Sequence, residues 1–353
     1  MAAANVRRDG TGTSGLFGQA HATQRQLAEP PQLAESATNR PSGLELLWRP
    51  GLAAADSLSS LSNPQSQPDP LTMVASRHCP LLDRPGPSRE LAVAPAPWQA
   101  RQCLETGLVY LANPPAQEQF QDEFAWEVTH ADESARRRQE EPLLYAASSA
   151  LKTFRRRWLG RDKLVGMVAG LIHRRTGPIR LVDIGCADGD LFRRLVNRLG
   201  PAERERLEPV GIEISSYLAA RAHRRLSLHG GRCIHASGID GLAELDAATS
   251  DIVVLSCVLE HELDPVPLLR ACRERLSANG SVVVKVPNYA CLARHLRGRR
   301  WCGYRWPDHV NYFTPRSLAA TAERAGLRIT RMGMLDASPL SDSLYAVFGR
   351  PAA

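Results

Sequence analysis

An acidic residue and two glycines follow one short apolar run, an arrangement that can bind a ligand at the end of a strand. The run Ile179–Ile184 contains Asp183 near its end and is followed by Gly185 and Gly189. Apolar residues then recur at helical spacing from Leu191 onward, so the segment predicts a strand, a glycine-rich loop and a helix. In an open α/β sheet such a loop lies at the carboxyl end of its strand, where ligands bind.

The charges of this loop argue against a dinucleotide. The dinucleotide pattern requires glycine at loop positions one, three and six, but counted from Gly185 the third and sixth positions hold Ala187 and Asp190. Asp188 and Asp190 are two carboxylates at the place where a pyrophosphate would meet the helix N-terminus. An uncharged or cationic nucleoside is therefore a better candidate ligand than NAD.

The order of acid, any residue, glycine, three residues and glycine resembles the first motif of the class I S-adenosylmethionine-dependent methyltransferases, with Asp183, Gly185 and Gly189 at the matching positions. The resemblance extends from about Gly107 to Arg350 and is strongest to the bacterial small-molecule branch that includes the ubiquinone-type methyltransferases. It implies an α/β Rossmann-like fold with a mostly parallel seven-stranded sheet, and S-adenosyl-L-methionine as cofactor. For the motif alone, a plain strand-to-helix turn is the alternative.

The resemblance also implies contacts to the cofactor beyond the glycine loop. Glu213 ends the second predicted strand, where the family has an acid that binds both ribose hydroxyls; an exposed strand-end acid without this role is the alternative. Ser237 aligns with the acid that often meets the adenine in the family, and Asp240 follows three residues later, which leaves the adenine contact open. The implied contacts are Asp183, Gly185, Cys186, Ala187, Gly189, Glu213, Ile214, Ser237, Asp240 and Ser256.

A second group of candidates follows the fourth predicted strand, Asp251–Ser256. The branch has a similar Leu-Glu-His sequence where this chain has Glu260 and His261. Some ubiquinone-type relatives carry a glutamate at the position of Cys257 and are thought to hold a divalent metal with the acids and the histidine. Because that glutamate is missing, we expect no metal. His261 is a candidate catalytic residue, or else a structural residue at a helix start.

Residues 289–312 combine arginines with aromatic residues, and relatives have a similar insert that folds over the substrate pocket. His309 lies in this insert and is a candidate base, because histidine titrates near neutral pH. The alternative is that His309 braces the insert and does no chemistry. Interleaved arginines and aromatic rings also suit nucleic acid stacking.

The remaining segments predict a domain organisation. Residues 1–72 are predicted to be disordered or a spurious extension ahead of a true start at Met73. Residues 73–115 resemble a degenerate zinc ribbon in which Cys79 and Cys103 keep the outer cysteine positions, whereas Leu82 and Thr106 replace the inner ones. Two thiols are too few for a structural zinc site. Residues 116–163 are predicted to form a helical cap, and residues 164–353 the S-adenosylmethionine-binding domain.

Composition sets broad limits. The chain of 353 residues has 43% hydrophobic residues, enough for a sizeable core, and a formal net charge of +7, which permits an acidic partner without requiring one. Its 8 cysteines include no Cys-x-x-Cys pair and suggest buried thiols in a reducing compartment. We find no secretory signal and no apolar run of membrane-spanning length, so we expect a cytoplasmic protein. The oligomeric state stays open.

The predicted reaction is methyl transfer from S-adenosylmethionine to oxygen, carbon or nitrogen of a small-molecule acceptor by in-line displacement. A sulfonium is an excellent leaving group, so the protein mainly positions the reactants. Two alternatives remain: an RNA-modifying methyltransferase, suggested by the positive charge, and a catalytically silent binding module built on the same fold.

Overall fold

The structure is a computed structural model that describes residues 76–115 and 162–351. The predicted disordered or spurious segment 1–72 lies outside these residues, as does almost all of the predicted cap 116–163. The strands are β1 (Ser88–Leu91), β2 (Ala100–Cys103), β3 (Val109–Leu111), β4 (Ile179–Ile184), β5 (Leu207–Glu213), β6 (Arg232–His235), β7 (Ser250–Ser256), β8 (Leu276–Pro287), β9 (Asn311–Tyr312), β10 (Arg328–Arg331) and β11 (Ser343–Gly349).

Helices connect most of these strands. They are α1 (Lys163–His173), α2 (Asp190–Val196), α3 (Pro201–Glu205), α4 (Ser216–Ser227), α5 (Gly238–Ala243), α6 (Pro265–Arg275), α7 (Leu292–Arg297) and α8 (Pro315–Arg324), with a short 3₁₀ turn at Gly298–Arg300. Within the described residues, no helix is long and apolar enough to span a membrane.

Seven strands form one sheet in the order β10-β11-β8-β7-β4-β5-β6. The five strands from β8 to β6 are parallel, and β11 pairs antiparallel with both β8 and β10. The predicted Rossmann-like fold with a mostly parallel seven-stranded sheet is therefore confirmed. Its strands read as near-continuous apolar runs because both faces are covered.

Alternation along the strands divides the core into two layers. Val182, Val253 and Val284 face one side, where the helices α6 and α8 pack. Leu181 and Val254 face the other side, together with apolar residues of α1 and α2. Successive strand side chains point to opposite faces, so the pattern produces a sheet with helices on both sides. The carboxyl ends of β4, β5 and β7 consequently meet along one edge.

Two local stretches, Asn279-Gly280 and 201–208, take a structure that their residue types do not suggest. Asn-Gly pairs often end helices, but α6 ends at Arg275 and both residues lie within β8. A Cβ atom on Gly280 would lie 2.8 Å from the carbonyl oxygen of Ser250, so the glycine permits close approach to β7. The polar stretch 201–208 contains the short helix α3, in which Pro201 occupies an initial position.

A second, four-stranded sheet has the order β1-β2-β3-β9. Its fourth strand comes from the insert, because Val109 and Tyr110 pair with Tyr312 and Asn311. The sequence did not predict this connection between residues 73–115 and the insert. Thr106 lies between the two thiols of the ribbon-like segment: Cys79 Sγ is 3.4 Å from Thr106 Oγ1, and the Thr106 N–H donates to Cys103 Sγ at 3.4 Å.

Candidate active site

The glycine loop between β4 and α2 has an unusual backbone. The φ angles are +65° at Gly185, +49° at Ala187 and +78° at Gly189, in the left-handed region that favours glycine. The Gly185 N–H donates to the carbonyl of Ile212 on β5 at 2.9 Å. A Cβ atom on Gly185 would lie only 2.8 Å from Val258 Cγ2. The loop is thus packed against the ends of both neighbouring strands.

Glu213 lies at the end of β5, as predicted, and is 7% exposed. Its Oε2 accepts the Ala187 N–H at 2.8 Å, and its Oε1 accepts the Ser215 N–H at 3.0 Å. A carboxylate oxygen can accept more than one hydrogen bond. The position is therefore compatible with ribose hydroxyls as further donors.

Asp183 is buried beneath this loop. Burial raises the pKa of Asp183 to about 7, the nearby Glu213 carboxylate adds to the increase, and the Arg194 guanidinium opposes it. Arg194 also forms ion pairs with Asp162, the N-cap of α1, and with Asp190 at the start of α2. Because the Glu213 charge affects the pKa of Asp183, these two acids are electrostatically coupled.

The predicted adenine-side residues lie beyond β6. Ser237 is the N-cap of α5, and its Oγ donates to Asp240 Oδ2 at 2.6 Å. The Ala236 N–H donates to the Glu213 carbonyl at 3.1 Å. This bond places the turn before α5 beside Glu213, the residue predicted to bind the ribose. Ile214 is 48% exposed at the same strand end, where an apolar side chain can pack against a nucleoside base.

For two further residues predicted to contact the cofactor, Cys186 and Ser256, the structure gives less direct support. Cys186 is buried, and its Sγ lies 3.6 Å from Cys233 Sγ, so its side chain faces the protein interior. Any contact of residue 186 with the cofactor must therefore come from its backbone. Ser256 is half-buried at the end of β7, and the next residue, Cys257, has a φ of +61°. Such backbone conformations in a non-glycine residue cluster at functional sites.

Glu260, His261 and His309 come together after β7. One ligand atom from each of the three side chains lies within 4.8 Å of the others. The sequence proposed His261 and His309 separately and did not propose Glu260 as a site residue. Glu260 is fully buried, and the two imidazole rings meet edge to face with centroids 4.8 Å apart. We call these three residues the acid–histidine cluster.

Backbone hydrogen bonds explain why residues so far apart in sequence meet. The N–H groups of Val310 and Asn311 both donate to the Glu260 carbonyl, at 2.8 and 3.1 Å. The Asn311 side chain also donates to the Glu262 carbonyl at 2.6 Å. These bonds fix the insert against the turn after β7 and place His309 beside Glu260. Sequence periodicity contains no signal for such a contact.

Neighbouring groups orient both imidazoles. His261 Nδ1 lies 2.8 Å from Asp308 Oδ1, and Arg305 pairs with Asp308 at 2.9 Å. His309 Nδ1 lies 2.9 Å from the Gly303 carbonyl oxygen, which can only accept, so Nδ1 carries the hydrogen. In both rings the Nε2 atom is the one left for another partner.

The electrostatics of the cluster correct one expectation. Burial, reinforced by the charge of His261, lowers the pKa of His309 to about 3. His309 is thus neutral at pH 7, and its expected titration near neutrality is wrong because the site is fully enclosed. Burial works to lower the pKa of His261 as well, but the Asp308 carboxylate outweighs it and the net shift is upward. Burial also raises the pKa of Glu260.

The aromatic residues of the insert are mostly internal. Trp301, Tyr304 and Tyr312 are almost fully buried and pack on Tyr289, whose ring lies under the Arg294 guanidinium at 4.1 Å. Nucleic acid stacking requires exposed aromatic faces. These buried rings instead form a small core that supports the acid–histidine cluster.

The cluster and the glycine loop lie at the same edge of the sheet. β4 and β7 are parallel neighbours, and Val258, from the turn after β7, contacts Gly185. A nucleoside cofactor held by the loop and Glu213 would therefore have the cluster on its β7 side. This is the crevice in which open α/β sheets bind ligands.

Comparison with known proteins agrees with this geometry. Residues 150–331 match the model of a methyltransferase-domain family. A ubiquinone biosynthesis O-methyltransferase from Cupriavidus pinatubonensis (strain JMP 134 / LMG 1197) is 29% identical over 182 residues, which cover 49% of this chain and 68% of that protein. Another protein of that name, from Xanthomonas axonopodis pv. citri (strain 306), is 28% identical over 167 residues, covering 44% of this chain and 66% of that one.

Solved structures were also compared. A magnesium protoporphyrin IX methyltransferase from Synechocystis PCC 6803 has 15% identity and a TM-score of 0.44, covering 66% of this chain and 97% of that one. An S-adenosylmethionine-dependent methyltransferase from Mesorhizobium loti has 17% identity and a TM-score of 0.40, covering 54% and 99%.

The fold, the glycine loop with its strand-end acid and the family match define a class I S-adenosylmethionine-dependent methyltransferase. The chain belongs to the methyltransferase-domain family that its residues 150–331 match. S-adenosyl-L-methionine is its cofactor, and the reaction class is methylation of a small molecule.

Proposed function

We propose that the acceptor is a small molecule with a hydroxyl group, and that its oxygen receives the methyl group. The observation that carries this proposal is the acid–histidine cluster of Glu260, His261 and His309, at the sheet edge that holds the glycine loop. A hydroxyl must lose its proton during methylation, and these side chains can assist that loss. The relatives named ubiquinone biosynthesis O-methyltransferase support transfer to oxygen.

The cofactor-side residues act by positioning. S-adenosylmethionine supplies the methyl group on a sulfonium that is already a good leaving group. Glu213 would accept hydrogen bonds from the ribose hydroxyls, while the loop from Gly185 to Gly189, with its left-handed backbone, would pass close to the cofactor. Ser237, Asp240 and Ile214 would border the adenine. Holding two reactants in line supplies much of the rate enhancement available to such a reaction.

The acceptor-side residues manage the proton. Asp308 fixes the ring orientation of His261, and the Gly303 carbonyl fixes that of His309. Because Nδ1 of each ring has one of these partners, Nε2 is the nitrogen that each ring has left for the acceptor. Because these groups are buried under the aromatic insert, water is largely kept away from the reacting atoms, which strengthens electrostatic interactions there.

We further propose that the protein works in the cytoplasm. All eight cysteines are free thiols, and five of them are buried. Disulfides persist in oxidising compartments and are rare in the cytosol. The thiol state supports a reducing environment.

Transfer of tritium from labelled S-adenosylmethionine tests the proposed function. The full chain would be incubated with matched acceptors, such as a catechol, the corresponding aromatic amine and a short RNA. We expect label in the methyl ether of the hydroxyl compound only. The exposed Glu208 on β5 provides a matched control: Glu208→Gln should retain transfer, whereas Glu213→Gln should lose most of it. Preferential labelling of the amine or the RNA would contradict the proposal.

A further inference from the structure

We propose that Glu260, His261 and His309 bind one divalent metal ion of the zinc class. One carboxylate and two imidazoles form the ligand set of several catalytic zinc sites, which keep a fourth position open for water or substrate. Imidazole nitrogens favour first-row transition ions, whereas magnesium and calcium prefer oxygen ligands alone. The chain therefore offers a site for Zn²⁺ or a similar ion rather than for Mg²⁺.

Unsatisfied polar atoms at the cluster provide a separate observation. Both carboxylate oxygens of Glu260 and the Nε2 atom of His261 are buried and make no hydrogen bond to any described residue. Buried polar groups are normally hydrogen-bonded, and leaving them without partners is costly. The Cys257 thiol is a weak hydrogen-bonding neighbour of Glu260, and the Lys285 charge acts on the same carboxylate. Neither neighbour reaches His261 Nε2, whereas a cation among the three side chains would satisfy Nε2 and the Glu260 oxygens together.

The surroundings of the two histidines match those of metal ligands. A ligating histidine usually donates its other ring N–H to a carboxylate or a backbone carbonyl, which fixes the ring and its tautomer. Asp308 holds Nδ1 of His261 at 2.8 Å, and the Gly303 carbonyl holds Nδ1 of His309 at 2.9 Å. Both Nε2 atoms are therefore oriented for coordination.

The spacing of the ligand atoms allows closure on an ion. They lie within 4.8 Å of one another, whereas bonds of about 2.0–2.1 Å in a tetrahedron place ligand atoms roughly 3.3 Å apart. Closure on an ion would therefore require the ligand atoms to approach one another by up to about 1.5 Å. The backbone bonds from Val310 and Asn311 to Glu260 keep the two halves of the site in register during that movement.

This ligand set differs from the one expected from ubiquinone-type relatives. From the sequence we expected no metal, because Cys257 stands where some ubiquinone-type relatives have a glutamate. In the structure the third ligand comes from His309 in the insert instead. The insert thus supplies the third ligand, and it lies beside Glu260 and His261 because it packs on the turn after β7.

A metal at this position would give the proposed function a means of activating a hydroxyl. A bound cation lowers the pKa of an oxygen that coordinates to it. This catalytic role rests on the proposed function, whereas the binding of the metal does not. The test therefore measures binding without cofactor or acceptor.

The full chain, freed of metal with a chelator and dialysed, would be titrated with Co²⁺ and followed by visible absorption. Calorimetry with Zn²⁺ and with Mg²⁺ would run in parallel. We expect one ion per chain, visible cobalt bands of a nitrogen- and oxygen-ligated ion, and much weaker Mg²⁺ binding. Glu260→Gln and His309→Gln should each weaken Zn²⁺ binding at least about tenfold, and Asp308→Asn by about 10- to 100-fold.

Two control variants make the experiment specific. His295 is exposed outside the cluster, so His295→Gln should bind metal like the wild type. Cys79→Ser should also bind like the wild type, because it removes only a thiol of the ribbon-like segment. Circular dichroism would confirm folding of each variant, and a rise in wild-type melting temperature on addition of Zn²⁺ needs no variant. Absence of stoichiometric binding, an intense ultraviolet thiolate-to-cobalt band, or unchanged affinity in folded Glu260→Gln and His309→Gln would overturn the proposal.

Discussion

The Glu213 carboxylate accepts a 2.8 Å hydrogen bond from the Ala187 N–H and so joins the end of β5 to the glycine loop after β4. The same carboxylate accepts the Ser215 N–H at the start of α4. One side chain therefore connects the two sequence motifs from which a cofactor site was predicted. A change at Glu213 should affect both the ligand and the shape of the loop that holds it.

Glu213→Ala should weaken the binding of S-adenosylhomocysteine by roughly 1.5–3 kcal/mol, the range for hydrogen bonds to a charged group. Calorimetry on the folded variant measures this change. The exposed Glu208 lies on the same strand, and Glu208→Ala should leave the affinity within about 0.5 kcal/mol of wild type. Equal affinity of the Glu213 variant and the wild type would remove Glu213 from the site.

Gly185→Ala should abolish most cofactor binding, because its new Cβ would be 2.8 Å from Val258 Cγ2 and its φ of +65° disfavours alanine. Gly177 is a matched control, since it has a φ of +76° with open space around its Cβ position. Gly177→Ala should cost about 1–2 kcal/mol of folding stability through backbone strain alone and leave affinity unchanged. Similar behaviour of the two variants would show that the contact with Val258 is unimportant.

Asp183 should make folding stability depend on pH. Its pKa is about 7 in the folded protein and about 3.9 when unfolded, so the folded state binds the proton more tightly. Stability from this group is fully present below pH 4 and is lost as the pH rises through 7. The difference in unfolding free energy, Asp183→Asn minus wild type, should therefore increase between pH 5 and pH 8. The increase should be at least about 1.4 kcal/mol, the free energy that corresponds to one pKa unit. Denaturant unfolding at the two pH values measures this difference, and a constant difference would contradict the assignment.

His309→Ala should lower methyl-transfer turnover by about a hundredfold, while affinity for S-adenosylhomocysteine stays within about twofold of wild type. Because the pKa of His309 is about 3, His309 should not contribute a step near neutral pH to the pH–rate profile. The wild type and this variant should therefore have profiles of the same shape in that range. Single-turnover kinetics across pH 5 to 9 provide the measurement, with His295→Ala as control. Wild-type turnover in the folded His309 variant would leave His309 only a structural role.

The cofactor half of the site could be predicted from the sequence, because its signals are local. Asp183, Gly185 and Gly189 follow one strand, Glu213 ends the next, and parallel pairing of β4 with β5 brings strand ends together without further information. The predicted strand Ile179–Ile184 agrees with the structure at both ends.

The acceptor half could not be predicted in the same way. Glu260 and His309 meet because insert N–H groups bond to the Glu260 carbonyl, and backbone bonds between distant loops leave no periodic pattern. Asn279-Gly280 is a related case: such a pair usually ends helices, but here Gly280 provides close contact between strands. The pKa of His309 likewise depends on burial that only the folded insert creates.

A crystal structure of the full chain with S-adenosylhomocysteine tests the central claim most directly. We expect both ribose hydroxyls within hydrogen-bond distance of the Glu213 carboxylate, about 2.6–3.2 Å, and the cofactor sulfur facing the side on which Glu260, His261 and His309 lie. Ribose hydroxyls bound elsewhere, or a sulfur directed away from these three residues, would contradict the account.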